Sequence, residues 1–324
     1  MRAAVCPAYG PPEVVRIEER PLPTPAAGEV RVRVCAAAVN FPDVLLIAGK
    51  YQISVPPPFV PGSEFAGVVD ETTDGAGDLA VGDRVTGTGV YGAFASEVVV
   101  PAAGLRRIPD GIDEHTAAAF GVAYGTAYHA LRSAARVRTG DELIVLGAGG
   151  GVGLASVQLA HQLGLSVTAV ASSDEKLDVA ASYGARNLIN HRSGDVRSAL
   201  RIALGGGADA VIDPVGGELS EPALRSLRRG GRFVTIGYAS GVIPRIPLNL
   251  VLVKGVQISG FQFQDLAPDE FARNEEELRD LLVSGRVAPH IGATFSLAET
   301  ASALRHVADG KAIGKVLIDL DSRN

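Results

Sequence analysis

The sequence predicts an α/β protein of two domains, a β-rich domain and a doubly wound parallel-sheet domain. Three observations carry that prediction. The first ~120 residues alternate apolar and polar positions between Gly, Pro and Asp turns, as strands with one wet face do. From Asp141 the pattern becomes strand, glycine loop, helix, repeated several times, which builds βαβ units and a parallel sheet. The length of 324 residues suggests two domains or one large one, and 47% hydrophobic residues supply material for two cores.

In chain order, "EVRVRVCAAAV" (Glu29–Val39) has the period of a half-buried strand, and "AGVVDE", "DRVTGTG" and "FASEVVV" follow as further strands. "FPDVLLIAG" reads as a short helix, with Pro42 in its first turn and Gly49 at its end. "DEHTAAAFGVAYGTAYHALRSAA" is Ala-rich with helical spacing, and Asp113 suits its N-cap. The βαβ units then run to "RFVTIGY". From Gly260 to Asn324 come two charged helices and a strand, "GKVLIDL", with no sheet of their own. This segment is expected to return to the first domain. The boundaries are therefore 1–120 completed by 260–324, and 121–259.

A net charge of −6 without a basic block argues against nucleic acid and anionic membrane surfaces as partners. The two cysteines, Cys6 and Cys35, lie in apolar runs and read as core residues. No four-cysteine zinc lobe exists. The first residues lack an apolar signal region, so a cytoplasmic location is expected.

"LIVLGAGGGVGLASVQLA" (Leu143–Ala160) places five glycines between a strand and a helix. Such a turn lets a pyrophosphate approach the backbone and rest on the helix N-terminus. Gly150, Gly151, Val152 and Gly153 are the candidates for that contact. The next strand, "LSVTAVAS", ends in Ala171 where an NAD site carries an acid for the ribose 2′-hydroxyl. Ser172, Lys176 and the pair His191–Arg192 gather instead, groups that suit a 2′-phosphate, with Asp174 as an awkward acidic neighbour. NADPH is the expected cofactor.

The motifs "AAAVNFPDVLLIAGKYQ", "PGSEFAGVV", "GDRV", "YGTAYHAL", "GAGGGVG", "DPVGG", "GGRFVTIG" and "GKAIGKVLI" occur in order along the whole chain. The chain thereby resembles zinc-independent medium-chain dehydrogenases/reductases of the NADPH:quinone oxidoreductase (zeta-crystallin-like) group. The resemblance implies a GroES-like β domain interrupted by a Rossmann domain, and a homodimer joined through the edges of the Rossmann sheets. Zinc relatives carry Cys at the position of Asn40 and His at that of Ser63. Neutral oxygen side chains are poor zinc ligands, so no metal is expected.

Without a Lewis acid, hydride addition to an already electrophilic acceptor remains feasible: a quinone, or an alkene conjugated to a carbonyl. By resemblance, Asn40 lies near the nicotinamide, where its amide could polarise a carbonyl, and the Tyr51 hydroxyl could donate a hydrogen bond or proton. Thr126 matches the family's threonine at the carboxamide. Gly237, Tyr238, Phe261 and Phe263 match segments that wall the nicotinamide. A Leu at position 45, where some relatives have Tyr, makes the acceptor site wider or more apolar. Enal, enone or enoyl-thioester reduction is the alternative reaction, and nucleotide binding without turnover (crystallin-like or RNA-binding) the alternative of another kind. Glu64 is expected to be a structural carboxylate held by a backbone N–H or by an Arg of the nucleotide domain. Lys315 matches a recurrent family lysine to which the motif gives no role.

Overall fold

The computed structural model describes residues 1–262 and 266–321. It divides into two compact units, Met1–Val122 with Pro289–Asn324, and Ala123–Ala288.

The first unit opens with an antiparallel pair, β1 (Arg2–Val5) and β2 (Arg16–Glu19). Then come β3 (Glu29–Val39), α1 (Phe41–Ile47), β4 (Glu64–Thr72), β5 (Arg84–Thr88), β6 (Glu97–Pro101) and β7 (Leu105–Arg107). Helix α2 (Glu114–His129) follows, its N-terminus capped by the Asp113 carboxylate, which accepts from Thr116 N–H at 2.7 Å. The second unit holds β8 (Glu142–Leu146), α3 (Gly151–Gln162), β9 (Ser166–Ala171), α4 (Asp174–Ser182), β10 (Ala185–Asn190), α5 (Val196–Leu204), β11 (Ala208–Asp213), α6 (Ser220–Arg225), β12 (Leu227–Thr235), α7 (Leu248–Lys254), β13 (Gln257–Gly260) and α8 (Pro268–Val283). The chain re-enters the first unit with β14 (Ile291–Ser296), α9 (Thr300–Ala308) and β15 (Lys315–Asp319).

In the first unit, β3 is the organising strand. Its N-terminal half alternates, with Val30, Val32 and Val34 in the core and Arg31 and Arg33 outward. Its C-terminal half is buried throughout, because β4 and β15 flank it and Ala36, Ala38, Ala66 and Leu317 pack with Ala117–Ala119 of α2. Both neighbours run antiparallel to β3, pairing Val39 with Val316 and Ala37 with Phe65. The end of β3 and the starts of β4 and β15 therefore lie at one end of the sheet. Cys6 and Cys35 are free and buried, with both thiols pushed up in pKa by burial.

The second unit carries six parallel strands in the order β10-β9-β8-β11-β12-β13. The order reverses at β8, and in such sheets ligands bind beyond the carboxyl ends of the strands at the reversal. β8 and β11 are almost wholly buried, as strands covered on both faces must be.

The return to the first unit comes at Pro289, not near Gly260 as the sequence suggested. β13 extends the parallel sheet, and α8 is tied to α2 within the second unit. The Tyr128 hydroxyl donates to Glu277 at 2.5 Å, and Asn274 bridges His129 and Ser133. Ala288 closes the segment: its carbonyl accepts from the Tyr124 hydroxyl at 2.7 Å and from Gln158 at 3.0 Å. A charged helix and a four-residue strand gave no periodicity that could assign them to a sheet. No helix among the described residues is long and apolar enough to cross a membrane.

Candidate active site

Three chain segments meet where β3 ends. Asn40 is the first residue after β3 and the N-cap of α1, Glu64 opens β4, and Lys315 opens β15. Asp43 lies one turn into α1. All are buried: Glu64 is 0% exposed, Asp43 1% and Lys315 3%. The Lys315 ammonium donates to Glu64 Oε2 at 3.0 Å and to Asn40 Oδ1 at 2.6 Å. Glu64 Oε1 accepts the backbone N–H of Val122 at 2.7 Å. Both carboxylate oxygens of Glu64 are thus engaged, as burial requires. The expectation of a backbone N–H partner for Glu64 holds. The cation beside it is not the alternative, an arginine of the nucleotide domain, but Lys315, from the last strand of the first unit.

The Asn40 amide is held unevenly. Its oxygen is pinned by the ammonium at 2.6 Å, whereas its NH2 reaches Ser63 Oγ and Glu64 Oε2 at 3.3 Å and Ala38 O at 3.4 Å. An ammonium has only donors, so it fixes which end of the amide carries the oxygen. Asp43 Oδ2 accepts Asn40 N–H at 2.7 Å, and Asp43 Oδ1 is buried with no hydrogen-bond partner. Burial lifts the Asp43 carboxyl to about 7, against the opposing pull of that N–H. Two carboxylates share one ammonium, and Glu64 holds it. The Lys315 charge pulls the Asp43 carboxyl down and the Glu64 charge pushes it up, both by less than burial does. Tyr51 packs against the core of the same unit, with its phenol shifted upward by burial and by the charge of Asp43.

In the second unit the glycine loop has the predicted shape. Gly147 leaves β8 with φ +62°, and Gly150 is the N-cap of α3. A glycine cap offers no side chain to the first N–H groups of the helix, which leaves them for an anion. A Cβ at Gly153 would stand 2.0 Å from Gly147 O, so only glycine lets α3 pass the strand this closely. Gly151 and Val152 form the first turn with it.

A Cβ at Gly149 would lie 2.6 Å from Cβ of Lys176, so the lysine stem runs over the loop. The Lys176 ammonium reaches Ser172 Oγ at 3.4 Å. Burial and then the Arg192 charge lower the pKa of both Lys176 and His191. Ser172, Lys176, His191 and Arg192 are thus brought to one corner beyond β9, as predicted. Asp174 is not the N-cap of α4. Ser173 takes that place, accepting Lys176 N–H.

Thr126 is buried on α2. Gly237 follows β12, with its N–H directed to Asp213 O at 3.4 Å, and the Tyr238 ring lies against Gly216. Phe261 stacks on His129, ring centroids 6.1 Å apart. Phe263 lies outside the described residues. Sequence reasoning missed Asp43, although an Asn-x-x-Asp spacing before an apolar run marks an N-terminal capping pair. It also missed Asp213, whose carboxylate accepts from Val215 and Gly216 N–H at 2.8 Å and from the Ser220 hydroxyl at 2.6 Å. Asp213 shapes the "DPVGG" turn at the end of β11.

Two family models match, one for an alcohol dehydrogenase GroES-like domain over residues 26–110 and one for a zinc-binding dehydrogenase over residues 151–280. The chain is 38% identical to quinone oxidoreductase-like protein 2 of Bos taurus, over 98% of this chain and 92% of that protein. It is 30% identical to quinone oxidoreductase of Homo sapiens, over 98% and 97%. The solved structure of Escherichia coli quinone oxidoreductase complexed with NADPH matches with a TM-score of 0.91 at 27% identity, covering 99% of this chain and 100% of that one.

The residues do not fit zinc. Asn40 and Ser63 are neutral oxygen donors, and the Lys315 ammonium already occupies the cluster, where it would repel a dication. Among the described residues no group of three or more His, Cys, Asp or Glu could hold a metal ion. The two matched models, the full-length identity to curated relatives and this donor set place the chain in the quinone oxidoreductase-like family of the medium-chain dehydrogenase/reductase superfamily.

Proposed function

We propose that the protein uses NADPH to reduce quinones and related carbonyl-conjugated acceptors, without a metal. The observation that carries the cofactor choice is the corner of Ser172, Lys176, His191 and Arg192, beside a strand that ends in Ala171 instead of an acid. A 2′-phosphate finds an ammonium, a guanidinium and a hydroxyl there. NADPH, when bound, supplies the hydride. Gly150, Gly151, Val152 and Gly153 would hold its pyrophosphate, and Thr126, Gly237, Tyr238 and Phe261 would flank its nicotinamide half.

On the acceptor side, Asn40 is oriented by Lys315 so that its weakly held NH2 is the end that can turn to an acceptor carbonyl. Stabilising the oxygen that gains charge in this way is electrostatic catalysis by a preset donor. The Tyr51 hydroxyl supplies the proton. The chain also pairs with a second copy through β13, an edge strand. Ile258 on β13, Leu248, Leu252 and Val253 on α7, and Val242 and Ile243 in the loop before α7 are exposed, Leu252 to 81%. An apolar group of this kind beside a sheet edge marks an association surface.

The test is consumption of NADPH and NADH with a panel of quinones and short enals. Turnover of quinones with NADPH and little with NADH is expected, and Lys176→Ala should weaken NADPH far more than NADH. Equal use of both nucleotides would overturn the cofactor assignment. Turnover of enals alone would make alkene reduction the reaction. Tight NADPH binding with no turnover of any acceptor would leave a binding protein.

A further inference from the structure

The corner that would take the 2′-phosphate contains two carboxylates in the first turn of α4, Asp174 and Glu175. A carboxylate beside a phosphate repels it, or else pairs with the cations meant for it. Asp174 is exposed, so packing does not fix its position. Its constraint comes from Asn190, the last residue of β10, which pairs with Ala171 across the sheet. Asn190 Nδ2 donates to Asp174 Oδ1 at 2.8 Å. The other end of the same amide, Oδ1, accepts the backbone N–H of Arg192 at 3.0 Å. The Asn190 carbonyl also accepts from Ser193, from its N–H at 3.2 Å and its hydroxyl at 3.0 Å, which closes the turn that carries Arg192.

One side chain thus ties down Asp174, one of the two acids in the first turn of α4, and sets the backbone of one of the cations. Glu175, the other, is exposed on the helix, and its charge acts on Lys176. We propose that Asn190 is a positioning residue for nucleotide selection: it anchors Asp174 to the end of β10 and fixes the Arg192 turn, so that the corner presents cations to a 2′-phosphate. The inference rests on the NADPH assignment above and deepens it. Asn190 touches no substrate atom in this role. It acts through Asp174 and Arg192. Asparagine suits the task because it donates and accepts from one rigid amide. Aspartate at the same position would lose the donor and add a second negative charge.

The experiment measures the dissociation constants of NADP+ and NAD+ by calorimetry, which needs no turnover. For Asn190→Ala the NADP+ constant should rise roughly three- to tenfold, the size of one lost charge arrangement at a hydrated corner, while that of NAD+ stays within about twofold. Adding Asp174→Asn to that variant should restore most of the NADP+ affinity, because the released side chain no longer carries charge. An unchanged ratio in Asn190→Ala, or an equal loss for both nucleotides, overturns the proposal. Asp174→Asn alone gives a second reading that does not depend on how well Asn190→Ala folds. It should raise the NADP+ preference by less than about twofold, because the tether holds the carboxylate at the end of β10 without neutralising it. A large gain in NADP+ preference there would show Asp174 opposing the phosphate despite Asn190 and would also overturn it. If the wild type binds NAD+ as tightly as NADP+, the cofactor assignment itself fails, an outcome distinct from the other two.

Discussion

Replacing Lys315 with Met tests the buried cluster most directly. The ammonium and Glu64 stand 3.0 Å apart, and both groups are almost fully buried. At an effective dielectric near 20, that pair is worth roughly 5 kcal/mol of Coulomb attraction, most of it offset by the cost of removing two charges from water. Lys315→Met keeps the volume and removes the charge. Glu64 then retains only the Val122 N–H at 2.7 Å and the long contact to Asn40, with Asp43 nearby. Breaking one side of a buried pair costs about 3–5 kcal/mol, a large share of a domain's stability. The thermal midpoint should fall by roughly 10 °C. Far-UV circular dichroism is the assay, because the chain has no Trp to report by fluorescence. Lys315→Met with Glu64→Gln should recover most of the loss, since a neutral pair leaves no stranded charge. A loss below about 1 kcal/mol in the single variant would refute the reasoning, and so would a double variant no better than the single.

Asp43 predicts a pH dependence. Its carboxyl is raised from the usual range to about 7, so the folded state keeps a proton that the unfolded chain releases near pH 4. That contribution is fully present below the unfolded value and is lost as pH rises through the folded one. It amounts to roughly 4 kcal/mol over the window, and Asp43→Asn should flatten urea midpoints measured across it. Gly153→Ala should cost both stability and nucleotide affinity, because its Cβ would stand 2.0 Å from Gly147 O. Calorimetry with NADP+ and a melting curve check the two effects together. Leu252→Glu, which adds charge to the exposed apolar group beside β13, should convert a dimer to monomers in sedimentation at fixed concentration.

The fold and the glycine loop were legible because their signals are local. Val30, Val32 and Val34 announce a strand over five residues, and the loop announces itself between Leu146 and Leu154. The Ser172, Lys176 and His191 corner was also legible, since strand order in a doubly wound sheet places successive strand ends side by side. The N-cap of α4 was not legible in the sequence. Ser173 and Asp174 are both good caps, and only backbone angles choose between them: Ser173 is extended, with φ −155°. Asn190 escaped notice because an asparagine at a strand end is ordinary until its two partners are known.

The buried Lys315–Glu64 pair was illegible for a different reason. Lys315 and Glu64 are 251 positions apart, and no periodicity relates them. They meet because β15 and β4 flank β3 in antiparallel sense, so two strand starts and one strand end share a corner. Once that topology is fixed, the choice of residues follows from charge. Where the resemblance puts the ligands of zinc relatives, this chain carries two neutral donors, two acids and a tethered ammonium. A single positive charge faces Glu64, and burial raises the Asp43 carboxyl to about 7. The ammonium cannot act as the Lewis acid that alcohol oxidation demands. It can still fix the orientation of Asn40, and an acceptor that is already electrophilic needs little more from the protein than an oriented donor, a proton and a hydride held in place.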